Sequence, residues 1–234
     1  MSEAQLKIRT MVWFSLGVLA VMLLVTAYTW MQVPAGAQIP SHWNAAGEVD
    51  GYSSKAFGLL LVPALALSLA ALFAVIPRID PKGTNILRSW PAYRATWGMM
   101  MVFMLLMQVF ICLAAMRIDI RIGTFIPVAT GFMFLIIGYY MGHIKPNFMF
   151  GVRTPWTITS ELSWTKTHQL AGWLFSALGA IMILGPIFLK GETWVWLMMV
   201  GIAVLLVATT TYSYIVWKDD PNREHMKHNN GPDV

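Results

Sequence analysis

Cysteine is almost absent. Cys112 stands alone in 234 residues, which excludes a disulfide within the chain and any cysteine-built metal site. Charge is scarce as well: Asp, Glu, Lys and Arg make up 12% of the residues, near half of the ~25% usual in soluble domains. Familiar catalytic signatures are missing, with no Gly-rich phosphate loop, no HExxH helix and no G-x-S-x-G elbow. No internal repeat and no low-complexity segment is visible. What fills the chain instead is apolar: 57% of its residues are hydrophobic and mean hydropathy is +0.62. That bias is the opposite of a disordered tail or a nucleic-acid arm.

The apolar residues come in six runs, at 11–31, 56–76, 97–116, 123–142, 170–189 and 194–217. Each holds about the 20 residues that a helix needs to cross a bilayer. None contains Asp, Glu, Lys, Arg or His, and Gln108 is the sole side-chain amide in them. Only a helix meets its own backbone hydrogen bonds in lipid without closing a barrel, so the expected fold is all-α, a single membrane domain of six transmembrane helices. Uncharged spans also disfavour an ion-coupled transporter or proton relay, which would carry ionisable groups inside the membrane. Lys7 and Arg9 before the first run, and Ala35-Gly36-Ala37 after it, imitate a signal peptide. At 21 residues that run exceeds the ~7–15 of a signal core, so an uncleaved helix is expected.

The 16 Lys and Arg give a net charge of +5 and a pI near 9.4, and their placement is topological. Twelve lie in the N-terminal segment, the second and fourth loops and the tail; Lys55, Arg117, Arg121 and Lys190 lie in the alternate loops. Basic residues favour the cytoplasm, so both termini are expected inside, N-in and C-in. This accounts for the basic balance without a nucleic-acid partner.

Three loops are long enough to carry recognition: 32–55 outside, and 77–96 and 143–169 inside. The outer one contains Pro40, His42, Trp43, Asn44, Gly47, Asp50 and Tyr52. Pro40 fixes its own backbone, and Asn44–Gly47 and Asp50-Gly51 carry turn chemistry, so a structured turn is expected. Trp43 and Tyr52 would be its anchors for a ligand or peptide, or else part of an aromatic belt at the headgroups. His42, Glu48 and Asp50 lack a recognised ligand spacing, and no metal or cofactor is expected. The inner loop contains Gly151, Arg153, Thr154, Pro155, Trp156, Glu161, Trp164 and His168. Thr159 or Ser160 can cap a helix whose first turn holds Glu161. Glu161, Trp164 and His168 would share one face of it, with Arg153 in reach of Glu161. That arrangement reads either as a polar pocket beneath the bundle or as an interfacial hairpin locked by an ion pair. Gly138-x-x-x-Gly142 and Gly172-x-x-x-Ser176-x-x-x-Ala180 are small-residue faces expected to pack internally. The methionine-rich third span is adaptable packing surface. The tail, 218–234, is polar and expected to be disordered.

Two of these loops carry a family resemblance. Ile39-Pro40-Ser41-His42-Trp43-Asn44 with Gly47, Asp50 and Lys55 resembles the short extracytoplasmic motif of an otherwise uncharacterised bacterial membrane domain. Gly151-Val152-Arg153-Thr154-Pro155-Trp156-Thr157 with Glu161, Trp164, Lys166 and His168 resembles the signature of the SdpI immunity family, in which both motifs occur in this order on six helices. The resemblance implies a multi-pass protein of the bacterial inner membrane that protects against a secreted, membrane-active peptide toxin made by sibling cells. It also implies, from the family's best-known member, toxin sensing and capture of a small cytoplasmic repressor. Pro40, His42, Trp43, Gly47 and Asp50 would then shape the outer surface, and Gly151, Arg153, Thr154, Pro155, Trp156, Glu161 and Trp164 the inner one.

The leading expectation is therefore a binding protein and not an enzyme, with membrane lipid, the toxin and the repressor as partners and with oligomeric state open. One alternative is an interfacial membrane enzyme acting on lipid or peptide, with Glu161 and His168 as acid and base. A second is a small-solute transporter or channel.

Overall fold

A computed structural model describes residues 2–118, 120–189 and 192–223. It is an all-α membrane architecture in which six helices are long and apolar enough to cross a bilayer. The order is α1 (Glu3–Gln32), β1 (Gln38–Trp43), β2 (Val49–Ser54), α2 (Lys55–Ile79), α3 (Gly83–Arg88), α4 (Trp90–Ala115), α5 (Ile122–Met141), α6 (Pro155–Ile158), α7 (Glu161–Phe188) and α8 (Glu192–Lys218). Large apolar side chains are left uncovered along the helices, with Leu24 70%, Trp173 79% and Phe188 80% exposed. Such faces would not survive in water and suit lipid.

Several helices run beyond their apolar cores because polar ends are capped locally. α1 begins at a capping box, in which the Ser2 hydroxyl accepts from the Gln5 N–H and the Gln5 side chain accepts from the Ser2 N–H. α7 begins at Glu161, with the Ser160 hydroxyl accepting from the Ser163 N–H. The second loop is correspondingly short of loop: it holds α3 and the start of α4, where Pro91 lies in the first turn.

α1, α2 and α4 form one group around Met22, Tyr93, Trp97 and Met101, all fully buried. α5, α7 and α8 form a second group, and α4 packs on α5 to join the two. α5 and α7 meet through glycine. A Cβ on Gly138 would lie 2.3 Å from Ser176 Oγ and 2.7 Å from the Gly172 carbonyl, and one on Gly131 would lie 2.7 Å from the Gly179 carbonyl. The small-residue face is internal, as expected, but its partners on α5 are Gly131 and Gly138. Gly142 contributes little, since a Cβ there meets only Gln169 Cγ at 3.9 Å.

The expected turn between the first two spans is a two-stranded antiparallel hairpin. Pro40 faces Tyr52, His42 faces Gly51 and Trp43 faces Val49, with irregularities on either side of His42. The expected tail disorder falls largely on residues outside those described; the described start of the tail, through Arg223, turns back onto α7.

Candidate functional site

The chain presents two motif-bearing surfaces, one at each end of the bundle. At the hairpin end, Asn44 shapes the tip: its side-chain oxygen accepts from the Ala46 and Glu48 N–H groups at 2.9 and 3.0 Å. Gly47 sits at φ +86°, the left-handed region that favours glycine. Gly51 lets the strands close, because a Cβ there would stand 2.9 Å from His42 Cβ. His42 Nδ1 and Asp50 Oδ1 are 2.5 Å apart across the strands, both side chains open to solvent. Tyr52 is 60% exposed. Trp43 is half-buried: its ring packs on Phe110 of α4 at 5.2 Å, and Phe110 stacks on Phe125 of α5 at 5.3 Å. Pro40 is half-buried beside fully buried Ile39. Of the two aromatic anchors, Tyr52 is the more exposed, and Trp43 shares its ring with the support.

Lys55, the last residue of the outer motif, holds this end together. Its ammonium is buried and donates to the Trp30 and Val33 carbonyls at 2.7 and 2.5 Å. A cation thereby meets carbonyls left open at the C-terminus of α1, where the helix dipole favours it.

At the opposite end the motif loop is folded around His168. The imidazole is buried and stacks on Trp164 at 4.1 Å. Nε2 accepts from the Val152 N–H at 3.0 Å and Nδ1 donates to the Trp164 carbonyl at 2.8 Å, a pattern that only the neutral ring satisfies. Gly151 makes the approach feasible: φ is +107°, and a Cβ would lie 2.4 Å from Nε2. Trp164 Nε1 donates to the Ile144 carbonyl at 2.7 Å. Thr154 caps α6 in a box with Thr157, ahead of Pro155 in the first turn, and pairs with the Ser213 hydroxyl of α8 at 2.9 Å. Trp156 packs on Tyr214 of α8 at 5.2 Å.

Two expectations fail here. Arg153 does not pair with Glu161; it is exposed and donates to the Phe148 carbonyl at 2.8 Å. A backbone acceptor five residues away is closer at hand than a carboxylate on another helix. Nor do Glu161 and His168 form an acid–base pair. Glu161 is exposed while His168 is buried, seven residues or ~10 Å of helical rise separate them, and both imidazole nitrogens are committed to backbone groups.

The residues that pin the loop to the rest of the chain lie in the second loop, which sequence reasoning passed over. Asp80 Oδ2 accepts from the Phe148 N–H at 2.9 Å and Oδ1 from the Lys82 N–H at 2.6 Å. Asn85 Nδ2 donates to the Pro146 carbonyl at 2.8 Å, and the Ser89 hydroxyl accepts from the Lys145 N–H at 2.8 Å. Asp-Pro and Lys-Gly turn pairs are the one signal that marked this segment. Asp220, beyond α8, accepts from the Ser160 hydroxyl at 2.5 Å. That bond, followed by the Asn222 N–H, holds its carboxyl below its usual range. A polar cavity of about 340 Å³ lies here, with Lys82, Ser160, Glu161 and Asp220 in its wall. No group of three or more His, Cys, Asp or Glu side chains able to hold a metal converges among the described residues.

Six apolar helices with an ordered polar motif at each end define a multi-pass protein of the cell membrane. Residues 143–213 match the SdpI/YfhL protein family, which spans the motif loop, α7 and most of α8. That stretch of the chain is similar to the family. Residues 17–67, from α1 through the hairpin into α2, match a domain of unknown function, DUF1648. Over 119 residues the chain is 27% identical to "Immunity protein SdpI" of Bacillus subtilis (strain 168), a match covering 51% of this chain and 57% of that protein. No solved structure matches it.

Proposed function

We propose that this chain is an integral immunity protein of the bacterial cell membrane, protecting its host against a secreted, membrane-active peptide toxin that it meets at the hairpin. The observation that carries the reading is the hairpin itself. It is pre-shaped by Asn44, Gly47 and Gly51, braced through Trp43 on Phe110, and leaves Tyr52 and the His42–Asp50 pair facing outward. A rigid surface with one exposed aromatic and a polar surround loses little freedom on binding. Similarity to a protein named for immunity supports the same reading. The twelve basic residues of the N-terminal segment, second and fourth loops and tail support an orientation with both termini in the cytoplasm. The hairpin would then face the toxin, and the His168 motif would face any cytoplasmic repressor.

Binding, not catalysis, is the role proposed, because the one buried histidine of the motif has no nitrogen left for a substrate. The test is a challenge assay in a toxin-sensitive bacterium. Wild type and Tyr52→Ala, at matched membrane abundance, are exposed to a sibling-cell peptide toxin while survival and membrane potential are recorded. Protection by wild type, lost or at least tenfold weaker in Tyr52→Ala, is the expected result. A fully abundant wild type that gives no protection sinks the immunity reading, and unimpaired protection by the variant sinks the hairpin as the contact.

A further inference from the structure

α2 contains two prolines, Pro63 and Pro77. Each removes the N–H that would bond the carbonyl four residues earlier, and in lipid such a carbonyl needs another donor. Both carbonyls find one, and both donors come from α4. The Leu59 carbonyl, opposite Pro63, accepts from Gln108 Nε2 at 3.0 Å. The Phe73 carbonyl, opposite Pro77, accepts from the Tyr93 hydroxyl at 2.6 Å. Gln108 and Tyr93 are fully buried. Gln108 also donates to the Thr26 hydroxyl of α1 at 2.7 Å, so the sole amide of the spans ties three helices together.

The two ends of α2 are the two motif surfaces. At one end β2 runs without a break into α2, Lys55 grips the end of α1, and a Cβ on Gly58 would stand 2.7 Å from Ile39 Cβ of β1. At the other end Asp80 caps α2 and accepts from the motif loop at Phe148. Gly83 folds back so closely that a Cβ would stand 2.1 Å from the Pro77 carbonyl. α4 also meets both surfaces, through Phe110 on Trp43 and Tyr93 on Phe150, but it is α2 that continues the hairpin strand and ends on the carboxylate holding the motif loop.

We propose that α2 is the coupling element between the hairpin and the motif loop, a helix with two proline breaks that α4 keeps closed through Gln108 and Tyr93. With both clamps made, displacement at one end reaches the other as the motion of one body. With a clamp lost, α2 bends at the corresponding proline and the two ends separate in their behaviour. Gln108 and Tyr93 are positioning residues. The coupling would give the toxin-recognition reading its route across the membrane and rests on that reading for its purpose alone; its test uses no toxin.

The test is hydrogen–deuterium exchange, read by mass spectrometry on the protein in lipid nanodiscs, at segments 38–54 and 145–152. Gln108→Leu, beside the hairpin, is expected to speed exchange at 145–152, and Tyr93→Phe, beside the motif loop, at 38–54. Each far-end change is expected to be about tenfold, the effect of losing one buried hydrogen bond on an opening equilibrium. Pro63→Ala restores an N–H to the Leu59 carbonyl and should return Gln108→Leu to wild-type exchange; Pro77→Ala should do the same for Tyr93→Phe. Trp97→Phe, which removes a 2.9 Å bond from α4 to Ser15 of α1, should leave both segments unchanged. Far-end exchange that stays at wild-type rates overturns the proposal. So does a far-end change that Trp97→Phe reproduces or that the proline replacements fail to rescue. Failure of the challenge assay with these exchange results intact would remove the toxin and leave the coupling.

Discussion

Gly151 and His168 form the tightest residue-scale pairing of the motif. The His168 ring stacks on Trp164, and its Nε2 accepts from the Val152 N–H. Gly151→Ala would place a methyl group inside the imidazole at a left-handed φ, a backbone state that costs about 1–3 kcal/mol for an L-residue before the clash is counted. His168→Leu keeps the bulk but leaves the half-buried Val152 N–H without its acceptor, a loss of about 1 kcal/mol. Thermal unfolding in detergent should therefore show both variants melting below wild type, with Gly151→Ala the lower. An unchanged Tm for Gly151→Ala would mean that the loop does not seat on His168. Asp220 gives a pH dependence at the N-terminus of α7, where its carboxylate holds Ser160. Its carboxyl is held below the ordinary 3.8, first by the Ser160 hydroxyl. A depressed acid contributes stability that is fully present above its unfolded value and is lost as the pH falls through the folded one. The junction of the tail with α7 should thus loosen only at strongly acid pH. In Asp220→Asn this acid step should vanish, while exchange at 160–163 is raised already at neutral pH.

At the scale of elements the decisive contact is α5 on α7. Helices in lipid gain nothing from hiding apolar surface, so close backbone approach through small residues does the work of association. Gly138→Leu would drive a branched side chain into Ser176 and the Gly172 carbonyl; overpacking of this kind costs about 1–3 kcal/mol or more. The expected result is a destabilised fold with α7 and α8 more open to protease, whereas Gly142→Leu, on a position with room, should be tolerated. The six helices and this seam were legible in the sequence because apolar runs and small-residue spacing are local patterns. The hairpin was not, because Pro40 and the irregular pairing around His42 break the alternation that marks a strand. The motif's anchors were hidden for another reason. Asp80 and Phe148 lie 68 positions apart, and the partner of His168 is a backbone N–H, which no residue type announces. Arg153 and Glu161 misled for the converse reason: opposite charges at a plausible separation suggested a pair, while a nearer carbonyl took the guanidinium.

Over the whole molecule, function turns on which surface faces outward. The hairpin and the His168 motif occupy opposite ends of the bundle, and the second loop contacts the fourth through Asp80 and Asn85, so these two loops share one side. Basic residues concentrate on that side and on both termini, and the translocation bias of Lys and Arg is the ground on which we propose that side for the cytoplasm. The chain suits a direct test, since its single cysteine, Cys112, is buried and can be replaced by Ala to leave a silent background. In that background Tyr52→Cys should react in intact cells with a membrane-impermeant maleimide. Lys166→Cys, exposed on α7 beside the motif, should react only after the cells are opened. The reverse pattern would turn the hairpin toward the cytoplasm, where a secreted toxin could not reach it, and the immunity reading would fall with it. Labelling of both sites in intact cells would mean two orientations in one membrane, an outcome that the twelve-to-four distribution of basic residues opposes.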